Sequence, residues 1–338
     1  MKRIVVCSDG TWNTADQRWN TNVVSVARSV SVKDPSGTIQ IVFYDPGVGT
    51  GNLLDRLTGG AFGSGLDRNI EDAYRFVADN YDDGDELFFF GFSRGAYTVR
   101  STVGLIRKAG LLRKVHAGRF REAYRLYRSK MLTPSSDESI EFRRAFSSEA
   151  EVKFLGVWDT VGALGVPISG LRFLTHGKYD FHDVELSRIV KNAYHAVAID
   201  ERRGTFKPTL WMTKPKPDQH IEQVWFAGAH TDVGGGCPEP AGLPDVTFRW
   251  MTEKARDAGL AFDQPTVELV TEDANELGVV HKSVTGFYRL LPRHLRIIGD
   301  EKFARQSISP AVRRRYKEIP AYKPRNLVEY FRRTGEPR

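Results

Sequence analysis

The sequence predicts an α/β fold, a mainly parallel central sheet with helices on both faces, and three observations predict it. Short apolar runs alternate along the chain with segments whose apolar residues fall at helical spacing, the order that builds strand-helix-strand units. Each strand candidate is a short run rich in β-branched or aromatic residues, as in Ile4-Val5-Val6-Cys7 and Leu87-Phe88-Phe89-Phe90. Four of these runs finish on a polar residue able to do chemistry: Asp9, Ser93, Asp159 and His230.

In chain order, the run 4–7 ends in the turn-forming cluster Ser8-Asp9-Gly10-Thr11-Trp12-Asn13. A helix is expected over 21–32, capped by Thr or Asn, and a second strand over 38–44, closed by a Gly-rich turn. Residues 59–66 read as a small-residue loop. Beyond it, Leu66, Ile70, Ala73, Tyr74 and Val77 define one face of a helix over 67–80. The strand 87–90 leads through Gly91-Phe92-Ser93-Arg94-Gly95 into a helix over 94–109, then a basic, tyrosine-containing helical stretch over 117–131 and an exposed helix over 138–150. A strand over 152–157 delivers Trp158-Asp159-Thr160, a loop follows over 165–178, and the spacing over 184–197 predicts a helix. The strand 222–226 delivers Gly228-Ala229-His230-Thr231-Asp232 and a glycine run, and a helix is expected over 246–258. With neither internal repeats nor a low-complexity linker, the reading is a single domain over 1–338, with an irregular or helical insertion around 163–220 and a basic C-terminal segment.

The 338 residues suffice for a sizeable core, and 41% hydrophobic with 27% charged residues is ordinary for a globular protein. The net charge of +7 is spread over scattered basic clusters without a base-stacking motif, so nucleic acid is not an expected partner. Anionic lipid surfaces and phosphorylated substrates remain compatible with that charge. The two cysteines, Cys7 and Cys237, form no C-x-x-C pair, which fits synthesis in a reducing cytoplasm. The N-terminal apolar run is too short for a signal peptide, and no stretch approaches the roughly 20 apolar residues of a membrane span. Membrane contact would be peripheral, and any export would use a route without a signal peptide. No cofactor motif or metal-ligand spacing is expected, and the oligomeric state is not specified.

Gly91-Phe92-Ser93-Arg94-Gly95 has the form of a nucleophile elbow, a sharp strand-to-helix turn that lifts a serine hydroxyl off the sheet edge. A serine needs a base to remove its proton, and His230 suits that task near neutrality, with Asp159 fixing its tautomer. Ser93, Asp159 and His230 also occur in the order nucleophile, acid, base expected of an α/β-hydrolase. Strand ends of an open α/β sheet converge on one crevice, which makes the coincidence of four such residues informative. The Arg94 amide heads a helix and is one candidate oxyanion donor, and the Asp9-Gly10-Thr11 turn is the candidate for a second. Asp159 could instead cap a helix, His195 and His281 are rival histidines, and Asp232 is a rival acid beside His230. The glycines 234–236 most simply permit a tight turn, with phosphate cradling as the other use.

SDGTWN (8–13), GFSRGAYTVR (91–100), VWDTVGALG (157–165), AIDERR (198–203) and GAHTDVGGG (228–236) together resemble the α/β-hydrolase-like domain of the type VI secretion phospholipase effectors, first Tle class. FYRLLPRHLR and YKPRNL near the C-terminus match in character. The resemblance implies a bacterial serine hydrolase, Ser93, Asp159 and His230 as its triad, and glycerophospholipid esters as substrate. Effector members usually carry an added membrane-anchoring or cargo region, for which this chain has no obvious room. Within AIDERR, Asp200 and Arg203 are expected to form a structural pair. A lid is expected over 165–178. Two rival functions stay open. One is a metal-dependent phosphohydrolase using Asp9, Asp159 and Asp232, although Cys7 stands where the D-x-D-G-T loop of haloacid-dehalogenase-type phosphatases has its first Asp. The other is a hydrolase-fold binding protein without catalysis.

Overall fold

Seven parallel strands among the described residues form one sheet in the order β2-β1-β3-β6-β7-β8-β9. They are β1 (Arg3–Ser8), β2 (Gln40–Asp45), β3 (Glu86–Phe92), β6 (Val152–Trp158), β7 (Val190–Ala198), β8 (His220–Phe226) and β9 (Gln306–Ile308). A separate antiparallel pair joins β4 (Leu111–Leu112) to β5 (Ser147–Ser148). The computed structural model describes residues 1–10, 13–47, 59–162, 185–212, 215–238 and 242–336, with backbone alone over 59–64.

The central strands β1 and β3 carry runs of buried apolar residues, Ile4 to Cys7 and Leu87 to Phe90, because both faces of the sheet are covered there. On one face Ile4, Val6 and Phe89 pack with Ile70, Tyr74 and Val77 of α2 (Gly59–Asn80) and with Ala96, Val99 and Val103 of α3 (Arg94–Ala109). On the other, Val5, Cys7, Phe88 and Phe90 meet Val23 and Val26 of α1 (Asn22–Ser29), along with Phe248, Met251 and Ala255 of a helix spanning Leu243–Asp257. The α1 helix starts where expected, its Thr21 side chain accepting a bond from the Val24 amide.

Two expectations fail. The stretch 184–197, read as a helix, contains strand β7 instead. Ala193, Ala196 and Val197 satisfy a helical stripe and a strand equally well, and pairing with β6 on one side and β8 on the other decides for the strand. The stretch 59–66, read as a loop, belongs to α2, which begins at Gly59. Its glycines cost the helix about 1 kcal/mol each relative to alanine, and the cooperative extension from the well-packed face at Ile70 to Val77 outweighs that. The expected lid over 165–178 and Thr11 lie outside the described residues.

The order of the strands places the switch in chain direction between β1 and β3, where open α/β sheets bind ligands. The register sets Ser8 beside Gly91, so the carboxyl ends of these strands deliver Asp9 and Ser93 side by side. The turn after β3 is drawn tight against β1: a Cβ on Gly95 would lie 2.0 Å from the Ser8 carbonyl oxygen, and one on Gly91 would lie 2.7 Å from the Ala96 backbone. Gly95→Ala is therefore expected to cost stability at or above the upper end of the ~1–3 kcal/mol range for overpacking, measurable by urea unfolding. A cost below about 0.5 kcal/mol would show that this contact is not needed.

Candidate active site

Ser93 sits between β3 and α3 with φ 57° and ψ −117°, a conformation that side chains other than glycine rarely adopt. Such backbone strain costs on the order of 1–3 kcal/mol and persists only where surroundings enforce it. Here the Ser93 amide donates to the Trp158 carbonyl at 3.0 Å, tying the turn to the end of β6. The Ser93 hydroxyl lies 2.8 Å from His230 Nε2, and His230 Nδ1 lies 2.6 Å from Asp159 Oδ2. All three residues are buried. With Asp159 accepting at Nδ1, the proton of a neutral imidazole belongs there, leaving Nε2 as the acceptor facing the hydroxyl.

Asp159 follows β6, also at positive φ, 37°. Its Oδ1 accepts from the Ala198 amide at 3.0 Å. Both carboxylate oxygens are held by Arg296, Nη1 to Oδ1 at 2.5 Å and Nη2 to Oδ2 at 3.0 Å, in the forked geometry that a guanidinium fits. Arg296 is itself 1% exposed and also donates to the Ala198 and Phe206 carbonyls. Burial acts to raise the Asp159 carboxyl, and the Arg296 charge with the His230 contact overcomes it, so the group stays well below the usual carboxylate range.

His230 begins α6 (His230–Gly234). Its ring packs tilted against Phe92 at a centroid separation of 4.6 Å and meets the Phe206 ring edge-on at 4.9 Å. Burial lowers its pKa below the ordinary 6.5, against the opposing pull of Asp159. The His230 amide donates to Glu201 Oε2 at 3.3 Å, and Glu201 is paired with Arg203 at 2.7 Å. The expected Asp200 to Arg203 pair is thus replaced: Arg203 takes Glu201, while Asp200 accepts from the Gly228 amide at 2.8 Å and the Tyr322 hydroxyl at 2.8 Å.

The remaining candidates are placed apart from this hydrogen-bond chain. Asp232 accepts from the Ala229 amide at 2.8 Å and lies 2.5 Å from His281 Nδ1, so it anchors the first turn of α6 rather than serving His230. His195 is buried, accepts from the Thr160 amide at 3.1 Å, and is pushed down to about 3 by its burial. Asp9 is buried among donors from Gly10, Asn13, Thr21 and Tyr44, and burial raises it to about 6. The Gly10 amide donates to Asp9 Oδ1 at 2.6 Å, and Thr11 of the same turn lies outside the described residues. Gly10 lies against Ser93, since a Cβ there would come 3.3 Å from Ser93 Cβ. Arg94 stands at the head of α3, as expected from sequence, and burial lowers its guanidinium to about 10, leaving it charged at neutral pH. The amides of Gly235 and Gly236 donate to the Thr231 and Asn20 carbonyls at 2.8 and 2.9 Å, so the glycine run makes a turn and offers neither amide to a phosphate.

Among the described residues, the group with a metal-binding donor set is Asp232, Cys237 and His281, whose ligand atoms lie within 4.8 Å of one another. Asp9, Asp159 and Asp232 form no such group, each being held by separate partners. Sequence reasoning missed Arg296, Glu201 and Phe206. Arg296 stands 137 residues from Asp159, and only its place in the C-terminal stretch FYRLLPRHLR hinted at a role.

Residues 2–254 match the family described as "T6SS, Phospholipase effector Tle1-like, catalytic domain". The chain is 31% identical over 237 residues to the uncharacterized protein YEL023C of Saccharomyces cerevisiae, covering 63% of this chain and 33% of that protein. Two solved structures are similar. An uncharacterized protein from Pseudomonas aeruginosa has 18% identity and a TM-score of 0.46, over 81% of this chain and 48% of that one. The Tle1 effector bound to the VgrG spike has 20% identity and a TM-score of 0.38, over 71% and 52%. The chain thus spans about a third of its yeast relative and about half of each solved chain. The yeast relative also means that a bacterial source does not follow from the sequence pattern. With three quarters of its length matched to the family, this chain belongs to the Tle1-like phospholipase effector catalytic domains of type VI secretion.

Proposed function

We propose that the chain is a serine hydrolase that cleaves carboxylic esters of phospholipids through an acyl-serine intermediate. The observation that carries this reading is the buried chain Ser93–His230–Asp159, with hydrogen-bond separations of 2.8 and 2.6 Å. In the first half-reaction Ser93 Oγ bonds to the ester carbonyl carbon while its proton passes to His230 Nε2. The carbonyl oxygen becomes an oxyanion facing the head of α3, where the Arg94 amide is the proposed donor. Collapse breaks the ester C–O bond, and the proton on Nε2 leaves with the alcohol. Water then repeats the sequence against the acyl-serine, releasing fatty acid and restoring Ser93. Asp159 holds the Nδ1 proton and balances the transient imidazolium charge.

Product identity tests this reading. Incubation with phosphatidylglycerol vesicles in the presence of a chelator is expected to release free fatty acid and lysolipid, detected by mass spectrometry. Release of diacylglycerol, phosphatidic acid or inorganic phosphate instead would mean that a phosphate ester is cut, and would refute it.

The pH profile follows from His230. The neutral imidazole is the base, and burial keeps it neutral to lower pH than an exposed histidine. The acid limb of kcat/KM on a soluble ester should therefore have its midpoint below 6.5, the ordinary histidine value. A midpoint above 7 would contradict this account of the imidazole.

A further inference from the structure

The reacting imidazole is two rings from a surface segment that is apolar and basic at once. The Phe206 ring that meets His230 is in turn met edge-on by Tyr288, at 5.9 Å. The Arg203 guanidinium lies over both, 3.5 Å from the Phe206 ring centre and 5.0 Å from that of Tyr288. Tyr288 belongs to the short 3-10 turn Gly286–Leu290 and faces inward. Its neighbours face outward: Phe287 is 60% exposed and Leu290 82%. Ile297, 57% exposed, directly follows the buried Arg296 that holds Asp159.

Charge accompanies this apolar surface. Arg289 and Arg293 are exposed, and among the described residues neither makes a salt bridge. The exposed Lys207 directly follows Phe206, whose ring meets Tyr288 of the same segment. An exposed Phe and an exposed Leu three residues apart in one 3-10 turn are unfavourable unless a partner removes them from water. A protein partner would bury the arginines against carboxylates. A bilayer suits both features together, because the apolar tips enter the acyl boundary while the arginines meet anionic headgroups. The overall charge of +7 favours the same encounter.

We propose that Gly286–Leu290, with Arg293 and Ile297, is the surface that seats this domain on an anionic phospholipid bilayer, edge-on to the site, so that a lipid ester is drawn towards Ser93 and His230. This rests on the reading of the substrate as a lipid ester, but its test does not depend on turnover. Binding is measured by co-sedimentation with vesicles of phosphatidylcholine alone or with phosphatidylglycerol, using Ser93→Ala protein to leave the lipid intact. The expected result is salt-sensitive binding to the anionic vesicles, weakened at least about tenfold in Phe287→Ser/Leu290→Ser and separately in Arg289→Gln/Arg293→Gln. With Ser93 restored, hydrolysis of a soluble short-chain ester should stay within about twofold for the Phe287→Ser/Leu290→Ser protein, which also reports that it is folded. Equal vesicle binding by parent and variants, or binding to neither vesicle, would overturn the proposal. Vesicle binding that behaves as expected without any ester hydrolysis would retain this surface and refute the proposed activity instead.

Discussion

Replacing Arg296 by methionine is expected to lower the unfolding free energy by about 3–5 kcal/mol, because it leaves a buried carboxylate without its counter-charge. That is a large share of the roughly 5–15 kcal/mol that holds a folded domain together. The sign follows from the geometry: Asp159 is fully buried, both its oxygens are held by one guanidinium, and burial alone would push the carboxyl upward. Its depressed pKa contributes stability that is present above the unfolded carboxyl value of 3.8 and is lost as pH falls through the folded value. In Arg296→Met this contribution disappears at neutral pH. A purely structural contact would stop there, but Arg296 also divides the Asp159 charge that His230 feels. Without it the carboxylate acts undivided on the imidazolium, the His230 pKa rises, and the acid limb of kcat/KM moves to higher pH. Arg296→Lys restores charge without the fork and should recover part of the stability and part of the pH shift. Urea unfolding and a pH-rate profile check both arms. An unchanged acid limb in folded Arg296→Met protein would reduce Arg296 to packing.

Ser93→Ala should lower kcat on any ester by on the order of 10⁴-fold or more, since removing a nucleophile leaves only binding and oxyanion stabilisation. The same position carries a stability prediction of opposite sense. Ser93 has φ 57°, where alanine is as strained as serine and glycine is not. Ser93→Gly should therefore be inactive yet more stable than Ser93→Ala by about 1 kcal/mol in urea unfolding. Equal stability of the two variants would mean that the elbow is not a strained turn.

The sheet and the convergence at its carboxyl edge were legible because they depend on local signals. Apolar runs ending at Asp9, Ser93, Asp159 and His230 name their strands, and a parallel sheet brings its strand ends together whatever the intervening lengths. Strand β7 was hidden because Ala193, Ala196 and Val197 fit both periods, and only its two neighbours choose between them. Arg296 was invisible for a different reason: its meaning lies wholly in a contact with Asp159 across 137 residues. Glu201 illustrates the limit of motif reading at short range. Within AIDERR, whether Arg203 reaches Asp200 or Glu201 is a matter of side-chain direction, which the bend after β7 sets and spelling does not. The Gly10 amide shows the same limit, since the adjacent Asp9 side chain turns back to claim it.

The central claim is that Ser93 is an activated nucleophile, and its most direct test is covalent labelling by a fluorophosphonate. The account predicts one adduct per chain, mapped by mass spectrometry to Ser93, formed fastest above the His230 acid limb and absent from Ser93→Ala and His230→Ala proteins. Hydrolytically active protein that takes no label, or that carries it on another residue, would contradict it.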